Sequence, residues 1–299
     1  MSFRLVGIGE WLWDLLPGNP QMGGAPANFA FQASALGAEA HIISRIGDDA
    51  LGKQLLERLD GSAISRETVQ IDPLAPTGTV TVVVDNQGQP HFTIHEGVAW
   101  DRLQPIDNGF QVVGEADAVC FGTLAQRVEP SRSTIRALVS ATRPSCLRIL
   151  DVNLRQHYYS RDMLMASLDL ADVLKVNDSE LPVLGAILGL DGNPQAVIPH
   201  LADCYSLLMI AYTRGARGSL LYREGERSDH PGIPTQVVDT VGAGDAFTAA
   251  MAIGLLSDWD LDTINERSNL VASAVAARAG GTPPLPEEIS RLFRSIPIT

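Results

Sequence analysis

Val238-Asp239-Thr240-Val241-Gly242-Ala243-Gly244-Asp245-Ala246-Phe247 is the most informative stretch of this 299-residue chain. The apolar pair Val237-Val238 reads as the end of a strand. Residues 246–256, rich in Ala, Leu, Met and Ile, read as a buried helix. Between them lies Gly242-Ala243-Gly244, a turn with no side chain larger than a methyl group. Glycine lets backbone approach a ligand closely. A helix starting just after such a turn points unpaired N–H groups, and the positive end of its dipole, at the space in front. That is a site for an anion, phosphate above all. Asp245 stands at the same place. Its carboxylate would repel a bound phosphate, but it is well placed to take a proton from a nucleophile attacking phosphorus. The competing reading is that Asp245 caps its helix.

On the N-terminal side, Arg4-Leu5-Val6-Gly7-Ile8-Gly9-Glu10 reads as a first strand ending in glycines. Gly7-x-Gly9 lacks the third glycine of a dinucleotide fingerprint, since position 12 is leucine. Trp11-Leu12-Trp13-Asp14-Leu15-Leu16 is an apolar run carrying one carboxylate. A charge there is costly unless exposed or paired, so Asp14 either faces solvent or grips a hydroxylated ligand. Gly23-Gly24-Ala25-Pro26-Ala27-Asn28 reads as a tight turn opening an Ala-rich helix. Gly47-x-x-x-x-Gly52-Lys53 imitates a P-loop, but Gln54 lacks the metal-binding hydroxyl and Asp48 and Asp49 would put two negative charges in the cradle. Residues 77–85 and 90–94 are β-branched runs separated by Asn86-Gln87-Gly88-Gln89, a hairpin signal. With the Asp14 strand they make a small separate sheet. His91 and His95 share a strand face, but without a third ligand they read as polar surface residues.

From Asp117 onward the pattern alternates. Strands are expected at residues 118–121, 147–151, 173–177, 207–212 and 218–222, with helices between them. Short buried strands alternating with helices imply a mostly parallel sheet covered on both faces. Ligands then bind beyond the carboxyl ends of the strands. The polar clusters Asp151-Val152-Asn153-Leu154-Arg155, Asn177-Asp178-Ser179-Glu180 and Thr213-Arg214-Gly215-Ala216-Arg217-Gly218 all fall at such ends.

At 299 residues the chain is long enough for one large domain with a small appendage, or two domains, and folding buries roughly 75% of its unfolded surface. The apolar fraction of 45% is that of a globular protein. Three widely spaced cysteines, Cys120, Cys146 and Cys204, read as buried thiols in a reducing compartment. Met1-Ser2-Phe3-Arg4 runs straight into strand-like sequence, with no secretory signal, and residues 181–190 are too short to span a membrane. A cytoplasmic location is expected. The net charge of −13 argues against nucleic acid and anionic membranes as partners.

DTVGAGDAF, with the motifs above in the same order along essentially the whole chain, resembles the ribokinase-like (PfkB-type) carbohydrate kinases, and GEWLWDLLP and DVNLR resemble their fructokinase members. The resemblance implies a three-layer α/β/α sandwich over residues 1–299, with a mostly parallel central sheet and a β-sheet lid formed by about 10–22 and 77–98, often also a homodimer contact. It implies ATP, Mg²⁺ and a sugar as ligands, with K⁺ as a further one. Asp245 would be the catalytic base and Gly242, Ala243 and Gly244 the anion hole. Asp14, Gly24, Asn28 and Arg155 would hold the sugar or phosphate, although Arg155 also suits a surface ion pair. Asn177, Thr213, Gly215, Gly218 and Asn269 would meet the nucleotide. Glu180 would reach Mg²⁺ through water, with a helix cap at Asn177 or Asp178 as the alternative. Asp239, Val241 and Gly280 would offer a monovalent-cation site; Pro284 stands where ribokinases can offer a hydroxyl. The activity implied is transfer of the ATP γ-phosphoryl group to a sugar primary hydroxyl, with fructose first. Ribose, 2-keto-3-deoxygluconate and nucleosides are the other acceptors, and a non-catalytic sugar sensor is the alternative of another class.

Overall fold

A computed structural model describes residues 2–16, 20–84, 90–190 and 192–294. In chain order the strands are β1 Arg4–Ile8, β2 Leu12–Leu15, β3 Gln21–Gly23, β4 Glu39–Gly47, β5 Ile64–Ser65, β6 Val69–Asp72, β7 Gly78–Val84, β8 Pro90–Ile94, β9 Ala118–Phe121, β10 Leu147–Asp151, β11 Val173–Asn177, β12 Met209–Thr213, β13 Ser219–Arg223 and β14 Glu226–His230. The helices are α1 Ala25–Ala35, α2 Ala50–Glu57, α3 Asp107–Glu115, α4 Ser131–Ser140, α5 Arg161–Leu168, α6 Glu180–Leu188, α7 Pro194–Tyr205, α8 Ala243–Leu256, α9 Leu261–Ala276 and α10 Glu287–Arg294.

The large sheet runs β14-β13-β12-β11-β10-β9-β1-β4-β5, with β6 beside β4. Every pair from β12 to β5 is parallel, and β13 and β14 add an antiparallel edge. Alternate residues of each strand feed two cores. Leu5, Ile149 and Val173 pack with α1, α8 and α9, while Val6, Leu150 and Leu174 pack with α3 to α7. Burial on both faces is why these strands read as continuous apolar runs. Strands β9, β10 and β11 stand where the sequence pattern puts them.

The small sheet is ordered β3-β2-β7-β8. Strands β2 and β7 are parallel and the other two pairs antiparallel. The turn expected at residues 86–89 lies outside the described residues, as does Pro17. Both legs of the β7–β8 hairpin are tied to the large sheet's surroundings. Asp49, the N-cap of α2, accepts from Gly52 N at 2.8 Å, Thr77 N at 2.8 Å and Thr77 Oγ1 at 2.7 Å. The P-loop look-alike is therefore a turn whose carboxylate holds the start of β7. After β8, Arg127 donates through Nη2 to the His95 carbonyl at 2.7 Å and grips Asp101 through Nε and Nη2, each at 2.8 Å. Its guanidinium also stacks 4.0 Å from the Trp100 ring.

Three expectations need correction. Val237 and Val238 are not in a strand and are 54% and 61% exposed. Their segment crosses the surface, and Val238 N and Asp239 N both donate to the Ala276 carbonyl at the end of α9, at 2.9 and 3.2 Å, in place of a strand partner. Cys204 is exposed, not buried, one turn beyond His200 on α7, with Sγ 3.3 Å from His200 Nε2. Helix α8 begins at Ala243 and takes in the turn itself. No helix among the described residues is long and apolar enough to cross a membrane.

Candidate active site

A cleft of about 570 Å³ opens at the carboxyl ends of β1, β10 and β11, between the N-termini of α1 and α8 and the small sheet. Gly242 caps α8 in the left-handed region, φ 75°, where a side chain is strained. A Cβ there would lie 2.2 Å from the Gly281 carbonyl oxygen, so only glycine fits. Asp245 is the third residue of α8, and among the described residues no hydrogen bond joins its side chain to its own helix. Instead its Oδ2 accepts from Asn28 Nδ2 on α1 at 2.8 Å. Burial, and next the charge of Asp151, push its pKa up to about 6; Lys175, the Asn28 bond and Arg155 oppose them.

Asp14 points into the same cleft from β2. Gly23 on the paired strand makes room for it, because a Cβ there would come within 2.3 Å of Asp14 Oδ2. Burial raises the Asp14 pKa to about 6, against the pull of Arg155. Gly24 holds φ 106° at the N-cap of α1, and its Cα is pressed against the Glu10 carbonyl, 2.4 Å from where a Cβ would stand. Arg155 is exposed and lines the cleft; among the described residues no carboxylate lies within ion-pair distance of it. Its charge lowers the pKa of Glu10, Asp14 and Asp245 alike.

Two groups in the cleft were not singled out from the sequence. Glu10, 2% exposed, has its Oε2 without a hydrogen-bond partner among the described residues, and burial pushes its pKa up to about 7. Lys175, 6% exposed, puts Nζ 3.0 Å from both oxygens of Asp151. The signal for Lys175 was available, since Val173-Leu174-Lys175-Val176 is an apolar run with one charge, the same criterion that marked Asp14.

The motifs that the resemblance assigns to a nucleotide sit to one side. Asn177 lines the cleft, and its Oδ1 accepts from Ser179 N and Glu180 N, both at 2.9 Å, which caps the start of α6. Glu180 lies below the cleft surface and accepts from Leu154 N at 3.0 Å and Asn177 N at 2.9 Å, bracing the loops after β10 and β11. The turn from Thr213 to Gly218 joins β12 to β13, with Gly215 at φ 57° and Gly218 at φ 75°. A 2.6 Å ion pair between Arg217 and Asp178 joins it to the Asn177 loop. Thr213, Gly215, Gly218 and Asn269 are not in the cleft wall. Asn269 is buried, with Nδ2 donating to Ser219 Oγ at 2.7 Å. Ala243, between the lining residues Gly242 and Gly244, does not itself line the cleft. Asp239 stitches two loops together, Oδ1 accepting from Val241 N and Oδ2 from Gly280 N, each at 3.0 Å.

The pfkB family of carbohydrate kinases matches residues 19–288. The chain belongs to that family. This pfkB-family chain is 32% identical to a fructokinase of Klebsiella pneumoniae over 267 residues, 85% of each protein. Its fold matches an uncharacterized sugar kinase of Pyrococcus horikoshii in complex with ATP at a TM-score of 0.83 and 29% identity, covering 97% of this chain and 99% of that one. It also matches a fructokinase of Xylella fastidiosa with bound ATP at a TM-score of 0.85 and 22% identity, covering 98% and 99%. The architecture is the ribokinase-like α/β fold.

Proposed function

We propose that this chain transfers the γ-phosphoryl group of ATP to the primary hydroxyl of fructose, giving fructose 6-phosphate. The observation that carries the reading is Asp245: a carboxylate at a helix N-terminus that caps nothing, is held by Asn28, and shares a cleft with Asp14. With a pKa of about 6 it is ionised at neutral pH and basic enough to accept the hydroxyl proton as the oxygen attacks phosphorus. The N–H groups of the Gly242-Ala243-Gly244 turn face the charge that develops on the phosphoryl oxygens. Asp14 and Gly24 hold the sugar beneath the small sheet, which acts as the lid. Arg155 screens the carboxylates from the incoming phosphates.

ATP would lie toward the turn from Thr213 to Gly218, next to Asn177 and Asn269. Mg²⁺ bound with it neutralises phosphate charge and orients the chain of phosphates. Among the described residues no three acidic, histidine or cysteine side chains converge into a metal cage. One carboxylate, Glu180, reaching the ion through water suits a cation that keeps most of its waters. The carbonyls of Asp239, Val241 and Gly280 would hold a monovalent cation in the loops that the Asp239 carboxylate ties together.

The preference for fructose rests on residues 121–127 as well as on the fructokinase relatives. Of this stretch only Leu124 lines the cleft. Gln126 is turned to Ser167 and the Gly122 carbonyl, and Arg127 to Asp101. No acidic residue from this segment meets the sugar, as it would in a ribokinase-type site. The test is a panel of acceptors with ATP. Fructose is expected to exceed ribose at least tenfold in kcat/KM, about 1.4 kcal/mol of discrimination. Equal or faster turnover of ribose, 2-keto-3-deoxygluconate or adenosine overturns the choice of sugar. Sugar binding without any ATP consumption overturns the kinase reading and favours a sensor.

A further inference from the structure

Gly244 belongs to the anion turn, and its Cα faces an ammonium group. A Cβ added at Gly244 would stand 3.0 Å from Lys175 Nζ and 3.7 Å from Lys175 Cε, so the lysine passes directly beneath the turn. Lys175 enters from β11, between β10 and β12 in the large sheet, and also lines the cleft. Its neighbours on the buried side are acidic. Asp151 on β10 holds it at 3.0 Å, and Thr248 Oγ1, one turn into α8, reaches the same carboxylate at 3.4 Å. Asp151, Glu180 and Asp245 together keep the ammonium charged despite its burial.

We propose that Lys175 is a catalytic residue, which donates a hydrogen bond to the transferred phosphoryl group as that group crosses from nucleotide to sugar. The inference rests on the kinase reading. A buried ion pair alone is weak evidence for stability, because desolvation offsets most of the attraction. The pair is better explained by what it points at. Asp151 fixes Nζ without neutralising its reach into the cleft, and Gly244 is the residue type that lets the ammonium come close. In the transfer, the sugar oxygen forms a bond to the γ-phosphorus and the hydroxyl proton goes to Asp245. The bond from that phosphorus to the bridging oxygen breaks, and its electron pair leaves with ADP. Lys175 keeps its proton throughout and donates a hydrogen bond to a phosphoryl oxygen, alongside the turn's N–H groups. A preorganised donor of this kind is worth about 10² to 10³ in rate.

The competing explanation is that Lys175 serves only to neutralise Asp151. Two variants separate them, assayed with whichever sugar the unmodified chain phosphorylates best. Lys175→Met strands the Asp151 charge, so it is expected to lose both stability and activity. The double variant Asp151→Asn/Lys175→Met removes both charges and restores a neutral core. Its melting temperature is expected to return toward that of the unmodified chain, with the KM for sugar little changed. Its kcat is expected to stay at least a hundredfold down. Recovery of kcat in the double variant overturns the proposal, because neutralising Asp151 would then be all that Lys175 does. A double variant that does not fold also counts against it, by making the pair structural. Absence of any turnover by the unmodified chain would instead strike at the kinase reading itself.

Discussion

The carboxyl edge of the large sheet and the small sheet both line the cleft, and they hold their functional groups by different means. On the large-sheet side the groups that would meet the phosphoryl group and the attacking hydroxyl are fixed by close packing or a buried partner. Gly242 is wedged against Gly281, Asp245 is bound to Asn28, and Lys175 is locked by Asp151 under Gly244. On the small-sheet side Asp14 stands in a four-stranded sheet with mostly apolar neighbours such as Val80, Phe92 and Ile94 around the opening. Gly23 makes room for it. The first arrangement suits chemistry, which needs donors fixed to within a fraction of an ångström. The second suits recognition, which tolerates adjustment. The contrast predicts that substitutions on the large-sheet side will appear in kcat and those on the small sheet in KM for the sugar.

The largest effect is expected at Asp245. Asp245→Asn keeps the shape and the contact with Asn28 but loses the basicity, so kcat should fall about 10²- to 10⁴-fold. Because Asp245 caps nothing and burial opposes its charge, the melting temperature should not fall. Steady-state kinetics beside thermal unfolding checks this, and near-normal kcat in the folded variant would break the division between the two sides. On the other side, Asp14→Ala should raise the KM for sugar about tenfold or more while the KM for ATP stays nearly constant. A fall in kcat with unchanged sugar KM would place Asp14 with the chemistry instead.

The pH profile sharpens the same division. With a pKa of about 6, Asp245 loses its basic form as the pH falls through that value. Activity should therefore be level above about pH 7 and drop roughly tenfold per unit well below 6. The limb near 6 belongs to kcat/KM, which reports the free enzyme, and a limb should persist in kcat, where the sugar is already bound, at a value shifted by the ligands. If it appears only in kcat/KM, the titrating group acts in sugar binding, and Asp14 is its source.

The smallest effect concerns stability. The pKa of Glu10 stands at about 7 in the folded chain, above its ordinary 4.5, chiefly through burial. The folded state thus holds this proton more tightly than the unfolded one. The stability it contributes is full below about pH 4.5 and is lost as the pH rises through about 7. Glu10→Gln has no such loss. It should be more stable than the unmodified chain at pH 8, on the order of 1 kcal/mol, with the gain shrinking at pH 5. Melting curves at the two values test it, and a gain independent of pH would mean that Glu10 is not charged when buried.

Much of this architecture was legible in the sequence, because strands buried on both faces advertise themselves as apolar runs between helices. Strands β9, β10 and β11, and the turn at the head of α8, are of that kind. Val237 and Val238 misled because a β-branched pair looks the same whether its partner is a strand or the end of a helix. Strand β14, Glu-Arg-Ser-Asp-His, gave no signal because it is an edge strand with largely exposed side chains. The Asn28 to Asp245 contact spans 217 positions, and nothing local to either residue announces it. Lys175 is masked in the sequence by the apolar run around it, which satisfies a strand pattern, although its one charge is as unusual as that of Asp14.

The contact of Asp49 with Thr77 has a mechanical meaning. The head of α2 is a ready anion receptor, and the chain fills it with its own carboxylate, which in turn clasps the first residue before β7. Arg127 anchors the other leg at His95. The hairpin is thus a cantilever with both roots clamped, and the wall it presents to the cleft through Val80 and Ile94 inherits its height and tilt from residues outside the cleft wall. A substitution at Asp49 or Arg127 would then move the cleft wall through its mounting and not through the surface that faces the cleft.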